Sequence, residues 1–257
     1  MKIFYGPVSS WRLGRSLGID LICSEKKICS FNCIYCQLGK NVEKTTKRKD
    51  FISIKQIKDE LPKGLEKATP DVITFSGLGE PTLAKNLGQA IDTVREITNI
   101  PLAVLTNSSL MNIREVNNAL CKLDNVIAKV DAPNEKLFKE INQPANGITL
   151  SNTINGIKKF KKMYSGKLDI QIMFLKNNME FAEEIANIVK EINPNEVQIN
   201  TPLRPCDVKP LTEEKIDEIE KIFQNKGLQT ISVYKSTKPK TSPIDKIEIF
   251  KRRGLHK

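Results

Sequence analysis

Six short apolar runs alternate with amphipathic helical patterns along this chain, which restricts it to strand–helix units built around a parallel sheet. The predicted strands are residues 19–22, 72–75, 102–105, 126–130, 170–174 and 197–199, with one late strand at 231–234. Between them, Ser53 and Gln56 form a capping box ahead of a helix that runs to about residue 65. Leu87, Ala90, Ile91, Val94 and Ile97 share one helical face, as do Ile113, Val116, Leu120 and Cys121 in the next unit. Phe181, Ile185, Ile188, Val189 and Ile192 repeat the pattern, and Thr212 caps a last helix stopped by Gly227. Six units are fewer than the eight of a closed barrel, so the expected α/β fold is an open, partial barrel with a wide lateral mouth. Its active site belongs at the C-terminal ends of the strands.

The 257 residues suit one domain spanning 1–257, with a core at about 15–230 and a loosely packed basic tail at about 235–257. No apolar stretch is long enough to cross a membrane, and the start, Met1 to Pro7, lacks the apolar run of a secretory signal. Six cysteines grouped at ligand spacing read as an intracellular metal site rather than a disulfide framework, so a cytoplasmic protein is expected. The net charge of +11 would attract a polyanion such as tRNA. It is concentrated at residues 40–49, 158–162 and 235–257, where lysines on solvated helix faces are the competing explanation.

Cys29, Cys33 and Cys36 are spaced C-x3-C-x2-C. Three thiolates can hold three corners of a cubane cluster and leave the fourth iron open, unlike the four grouped cysteines of an electron carrier. A tetrahedral zinc site needs four donors, and the lone histidine, His256, lies in the far C-terminal tail. Cys121 reads as core; Cys23 after strand 1 and Cys206 after strand 6 could reach the mouth, but buried roles are expected for both. After strand 2 comes Ser76-Gly77-Leu78-Gly79-Glu80-Pro81, whose glycines let backbone approach a ligand. Asn107 and its hydroxyl neighbours end strand 3 and could bind a carboxylate or ribose. Lys129 and Asp131 fall on one side of strand 4, as an ion pair at the pocket if that side faces inward. Gln198 and Asn200 share a side of strand 6, and Arg204 beyond them could bind phosphate or carboxylate.

The cysteine spacing and its place after strand 1 resemble the radical S-adenosylmethionine (SAM) superfamily. The resemblance implies a partial (β/α)6 TIM-like barrel, a [4Fe-4S] cluster on Cys29, Cys33 and Cys36, and SAM chelated at the open iron. It also implies reductive cleavage of SAM to a 5′-deoxyadenosyl radical, with electrons from a donor such as flavodoxin or ferredoxin. Tyr35 falls where that family carries an aromatic residue near the adenine, and Gly79, Glu80 and Pro81 resemble its motif for the SAM amino group. The cofactor-binding residues expected are Tyr35, Gly77, Gly79, Glu80, Asn107 and Asp131; Lys129, Asp131 and Arg204 are the catalytic candidates. The segments from Tyr5-Gly6-Pro7 to Leu203-Arg204-Pro205 resemble the branch holding wyosine-pathway tRNA synthases and small iron–sulfur oxidoreductases. Those synthases carry further cysteines upstream for a second cluster; here only Cys23 precedes Cys29, so one cluster is expected. A tRNA base is the leading substrate, a protein or small metabolite the alternative, and an electron carrier or zinc module the non-enzymatic one.

Overall fold

The computed structural model describes residues 1–253. Eight strands form one sheet in the order β1 (Phe4–Ser10), β2 (Gly14–Ile19), β5 (Val72–Phe75), β6 (Leu102–Thr106), β7 (Asn125–Lys129), β8 (Lys167–Met173), β9 (Glu196–Asn200) and β10 (Thr230–Ser232). Only β1 runs antiparallel to its neighbour; the others are parallel. β1 and β10 are the unpaired edges, so the curled sheet is a half-barrel. Two short strands, β3 (Lys27–Cys29) and β4 (Val42–Lys44), pair separately beside the mouth.

The helices are α1 (Ile54–Leu65), α2 (Leu87–Ile97), α3 (Arg114–Leu120), α4 (Glu135–Asn142), α5 (Leu150–Met163), α6 (Ala182–Ile192), α7 (Glu213–Asn225) and α8 (Lys246–Arg253). Ser53 and Gln56 make the capping box at α1, and Thr212 accepts from the Lys215 amide at α7. Asn134 and Thr149 cap α4 and α5 in the same way. The strands alternate with period two. Ile73, Phe75, Val104, Val126, Ile170, Ile172, Val197 and Ile199 bury their side chains against the helices in the main core. The residues between them, among them Ser16, Thr74, Lys129, Gln171 and Asn200, face the inside of the half-barrel.

Three expectations are corrected. The first parallel strand is Gly14–Ile19, not residues 19–22. Leu21 and Ile22 lie in a turn because the buried Asp20 carboxylate accepts the Ile22 and Cys23 amides at 3.1 and 3.0 Å, which draws the chain out of strand geometry. Ahead of it stands an antiparallel strand, β1, that sequence reasoning did not find. Among its described residues, the segment after residue 235 is tied down at two points: the Ile244 amide bonds the Gly6 carbonyl at 2.7 Å, and α8 buries Arg252 to 2 % exposure. His256 lies outside the described residues.

Candidate active site

A cavity of about 560 Å³ opens at the C-terminal ends of the parallel strands, and Cys29, Cys33 and Cys36 all line it. Cys29 ends β3, which reaches the barrel through the Ile28 amide, bonded to the Leu78 carbonyl at 3.0 Å, and the Glu80 amide, bonded to the Ile28 carbonyl at 3.2 Å. That contact explains Gly79. A Cβ there would lie 1.7 Å from the Ile28 carbonyl oxygen, so only glycine lets the cysteine segment sit against the end of β5. At Gly77 the same space is filled by the Asp20 carboxylate, 2.1 Å from where a Cβ would stand. Both glycines border the cavity, but the close approach that demands them is by protein.

Glu80 is 2 % exposed and fully engaged. Its Oε1 accepts from the Thr82 amide (3.1 Å), the Thr82 hydroxyl (2.7 Å) and the Thr106 hydroxyl (2.7 Å), and its Oε2 from the Asn107 amide (2.7 Å). Burial pushes this carboxyl up and those donors pull it back. The side chain therefore ties β5 to β6. Asn107 carries the tie onward, its Nδ2 donating to Ser30 Oγ at 2.8 Å and to Cys29 Sγ at 3.5 Å, while its Oδ1 holds the Ser109 amide.

Asp131 lies beyond the end of β7 and is not paired with Lys129; among the described residues no ion pair joins them. Asp131 instead accepts from the Tyr35 hydroxyl, from Asn142 Nδ2 at 2.7 Å and from the Met173 amide at 2.8 Å. Asn142 Nδ2 also reaches Cys33 Sγ at 3.5 Å. The Lys129 ammonium stands 5.1 Å from the centre of the Tyr35 ring, in the cation–π range. Burial first, then the Asp131 charge, pushes the Cys33 thiol up to about 11, and burial drives Cys29 higher still. Ligation by iron is what would hold such thiols as thiolates.

The described residues contain no group of three Cys, His, Asp or Glu side chains that could share a single ion. A cubane does not require one, because each cysteine takes a different iron. The donor set, three cavity-facing thiols each free of disulfide, fits a cluster and not a mononuclear zinc site.

The other candidates divide. Asn200 lines the cavity, whereas Gln198 is buried below it on Asp169 at 3.1 Å. Arg204 lines the mouth and donates to Gln37 Oε1 at 2.5 Å. Cys206 packs in a small apolar cluster with Phe31, Tyr35 and Phe138 and donates to the Val208 carbonyl. Cys23 donates to the Lys2 carbonyl at 3.5 Å, outside the cavity lining. Asn142, Asp20 and Arg252 were missed by sequence reasoning. The contacts that tie them to the site, Asn142 to Cys33, Asp20 to Leu78 and Arg252 to Asp20, span 109, 58 and 232 residues, so no local pattern shows them.

The profile of the family described as the Radical SAM superfamily matches residues 27–189, well over half of the chain. A UPF0026 protein, MJ1312 of Methanocaldococcus jannaschii, is 39 % identical over 87 % of this chain and 70 % of its own. The chain belongs to the radical SAM superfamily. It is thus an enzyme of the family that uses a [4Fe-4S] cluster and SAM. A probable GTP 3′,8-cyclase of Sulfurisphaera tokodaii is 27 % identical over 84 % of this chain and 66 % of its own. Streptococcus suis SuiB bound to S-adenosylmethionine shares the fold with a TM-score of 0.63 at 16 % identity, over 83 % of this chain and 50 % of SuiB. The radical SAM chain thus spans half of that structure's length and carries the half-barrel. No helix among its described residues is long and apolar enough to cross a membrane.

Proposed function

We propose that this radical SAM enzyme holds one [4Fe-4S] cluster on Cys29, Cys33 and Cys36, binds SAM beside Tyr35, Gly77 and Gly79, and acts on an anionic substrate. The observation that carries the reading is that the cysteines and the ends of β5 and β6 line one cavity. A cluster held by Cys29, Cys33 and Cys36 would supply the one-electron reductive cleavage of SAM, fed by a flavodoxin- or ferredoxin-type donor, and so the means to abstract hydrogen from the substrate. Asn107 and Asn142 donate toward the sulfurs of Cys29 and Cys33, which fixes those ligands. Tyr35, clamped by Asp131, presents its ring as a flat wall. Glu80 acts here by positioning the ends of β5 and β6, its two oxygens accepting from Thr82, Thr106 and Asn107.

An anionic substrate is supported by the lining. Arg12, Lys129, Arg204 and Lys238 border the cavity, beside Arg252, whose charge is met by Asp20 and Glu248; the carboxylate in the lining is Glu80. Among the described residues the ammonium groups of Lys129 and Lys238 meet no carboxylate. SAM brings a single carboxylate together with two cationic centres, so it leaves that excess of positive charge in place. A phosphate-bearing substrate such as tRNA, modified at a base, suits it and also suits the net charge of +11. The test is anaerobic reconstitution with iron and sulfide counted, followed by SAM and dithionite. 5′-Deoxyadenosine is expected, and none from a fully loaded protein sinks the reading. Nucleosides of tRNA from a deletion strain should differ from wild type; an unchanged profile removes tRNA.

A further inference from the structure

Arg252 stands at the far end of the chain, yet it is one of the largest side chains with almost no exposed surface. A guanidinium buried to 1 % is stable only when its donors are satisfied. Nε donates to Asp20 Oδ2 at 2.8 Å, Nη1 to Glu248 Oε2 at 2.5 Å, and Nη2 to the Lys2 carbonyl at 2.5 Å. The guanidinium carbon lies 5.1 Å from the centre of the Tyr5 ring. Two of these contacts, those to Asp20 and Tyr5, lead to the site. Asp20 Oδ2 also accepts the Leu78 amide at 3.2 Å, and its carboxylate fills the space over Gly77. The Tyr5 hydroxyl bonds Ser76 Oγ at 2.6 Å, on the same strand end. From the other direction, Gln37, the residue after Cys36, donates through Nε2 to the Arg252 carbonyl at 2.9 Å.

We propose that Arg252 is a positioning residue for both cofactors: α8 is a latch that joins the loop of Cys36 to the Ser76–Leu78 strand end through Gln37, Arg252 and Asp20. The inference rests on the cofactor assignment above. A helix that merely covered the edge strand would need apolar packing against β1. A buried ion pair costs desolvation that only its geometry repays, and here that geometry spans two cavity-lining segments. Arg252 is itself one of the residues lining the cavity. Lysine could keep the Asp20 contact but not serve Glu248 and the Lys2 carbonyl at once, because an ammonium lacks the planar fork.

The test uses full-length holoenzyme reconstituted anaerobically, with SAM dissociation constants and the EPR spectrum of the reduced cluster recorded with and without SAM. Arg252→Met should load iron and sulfide as wild type does, yet bind SAM about tenfold or more weakly and show a diminished SAM-induced spectral change. Arg252→Lys should recover part of both. If Arg252→Met does not fold, Gln37→Ala decides: weaker SAM binding with a full cluster supports the latch, and wild-type affinity overturns it. Unaltered SAM affinity and spectra in a loaded Arg252→Met protein also overturn it. A wild-type cluster that ignores SAM overturns the cofactor assignment itself, and the latch with it, which separates the two failures.

Discussion

The two sides of the cavity are built in opposite ways. On the side formed by the cysteine loop and the ends of β5, β6 and β7, Glu80, Asn107, Asp131 and Asn142 spend their hydrogen bonds on one another and on backbone. On the side formed by β8 and β9, Gln171 and Asn200 face the cavity, and among the described residues the Gln171 amide and Asn200 Nδ2 bond nothing in the chain. Paired groups in a low-dielectric wall resist movement, whereas unpaired ones await a ligand. The first side is a frame that fixes the ligating loop; the second is where recognition is still to be made.

Removing a frame residue that would touch iron has the largest effect. Cys33→Ala should bring 5′-deoxyadenosine from SAM and dithionite down to background, with iron per protein lowered in the same preparation. Turnover retained in that variant would break the division at its centre. Glu80→Gln comes next. It removes the charge from four donors and turns an amide N–H₂ toward some of them, a loss of about 3 kcal/mol. For a chain of this size that lowers Tm by about 6–12 °C in a thermal melt. A shift under 2 °C would mean that the network does not hold the strand ends.

Asp131→Asn is the intermediate case. Asparagine can still accept the Met173 amide, but not both Tyr35 and Asn142, so about 2 kcal/mol is lost. Pairing it with Tyr35→Phe removes the hydroxyl that needs the acceptor. The double variant should therefore lose less than the sum of the singles in denaturant unfolding, and strict additivity would dissolve the proposed clamp.

How much of this was legible beforehand follows the range of the interactions. The capping box at Ser53 and Gln56, the Thr212 cap and the apolar helix faces are local, and they appear where the spacing put them. The cysteine loop and the end of β5 were legible as motifs, though not the reason for Gly79, which is the approach of Ile28. Alternation misled at Asp131 because it was carried past the last strand residue, Lys129. Leu21 and Ile22 read as strand because the Asp20 carboxylate that bends them is polar and unremarkable in sequence. β1 hides its period behind Gly6, Pro7 and a register shift between Tyr5 and Val8. The latch joins residues 232 apart, a pairing that no local pattern encodes.

The smallest effect on stability, and the sharpest test of the contrast, belongs to Lys129, which ends β7 on the frame side yet gives none of its side-chain hydrogen bonds to the frame among the described residues. Lys129 lines the cavity with its ammonium over the Tyr35 ring, and among the described residues that ammonium meets no acceptor. Lys129→Met keeps the stem and removes the charge, so it should change stability by less than about 1 kcal/mol. Anion binding should suffer instead: the affinity for SAM or for a phosphate-bearing substrate should fall, and its salt dependence should flatten because one cation no longer contributes. The measurement is a pair of curves, thermal unfolding and ligand affinity against ionic strength, for Lys129→Met beside Glu80→Gln. If Lys129→Met loses as much Tm as Glu80→Gln while binding and salt response stay at wild type, the ammonium is part of the frame and does not wait for an anion.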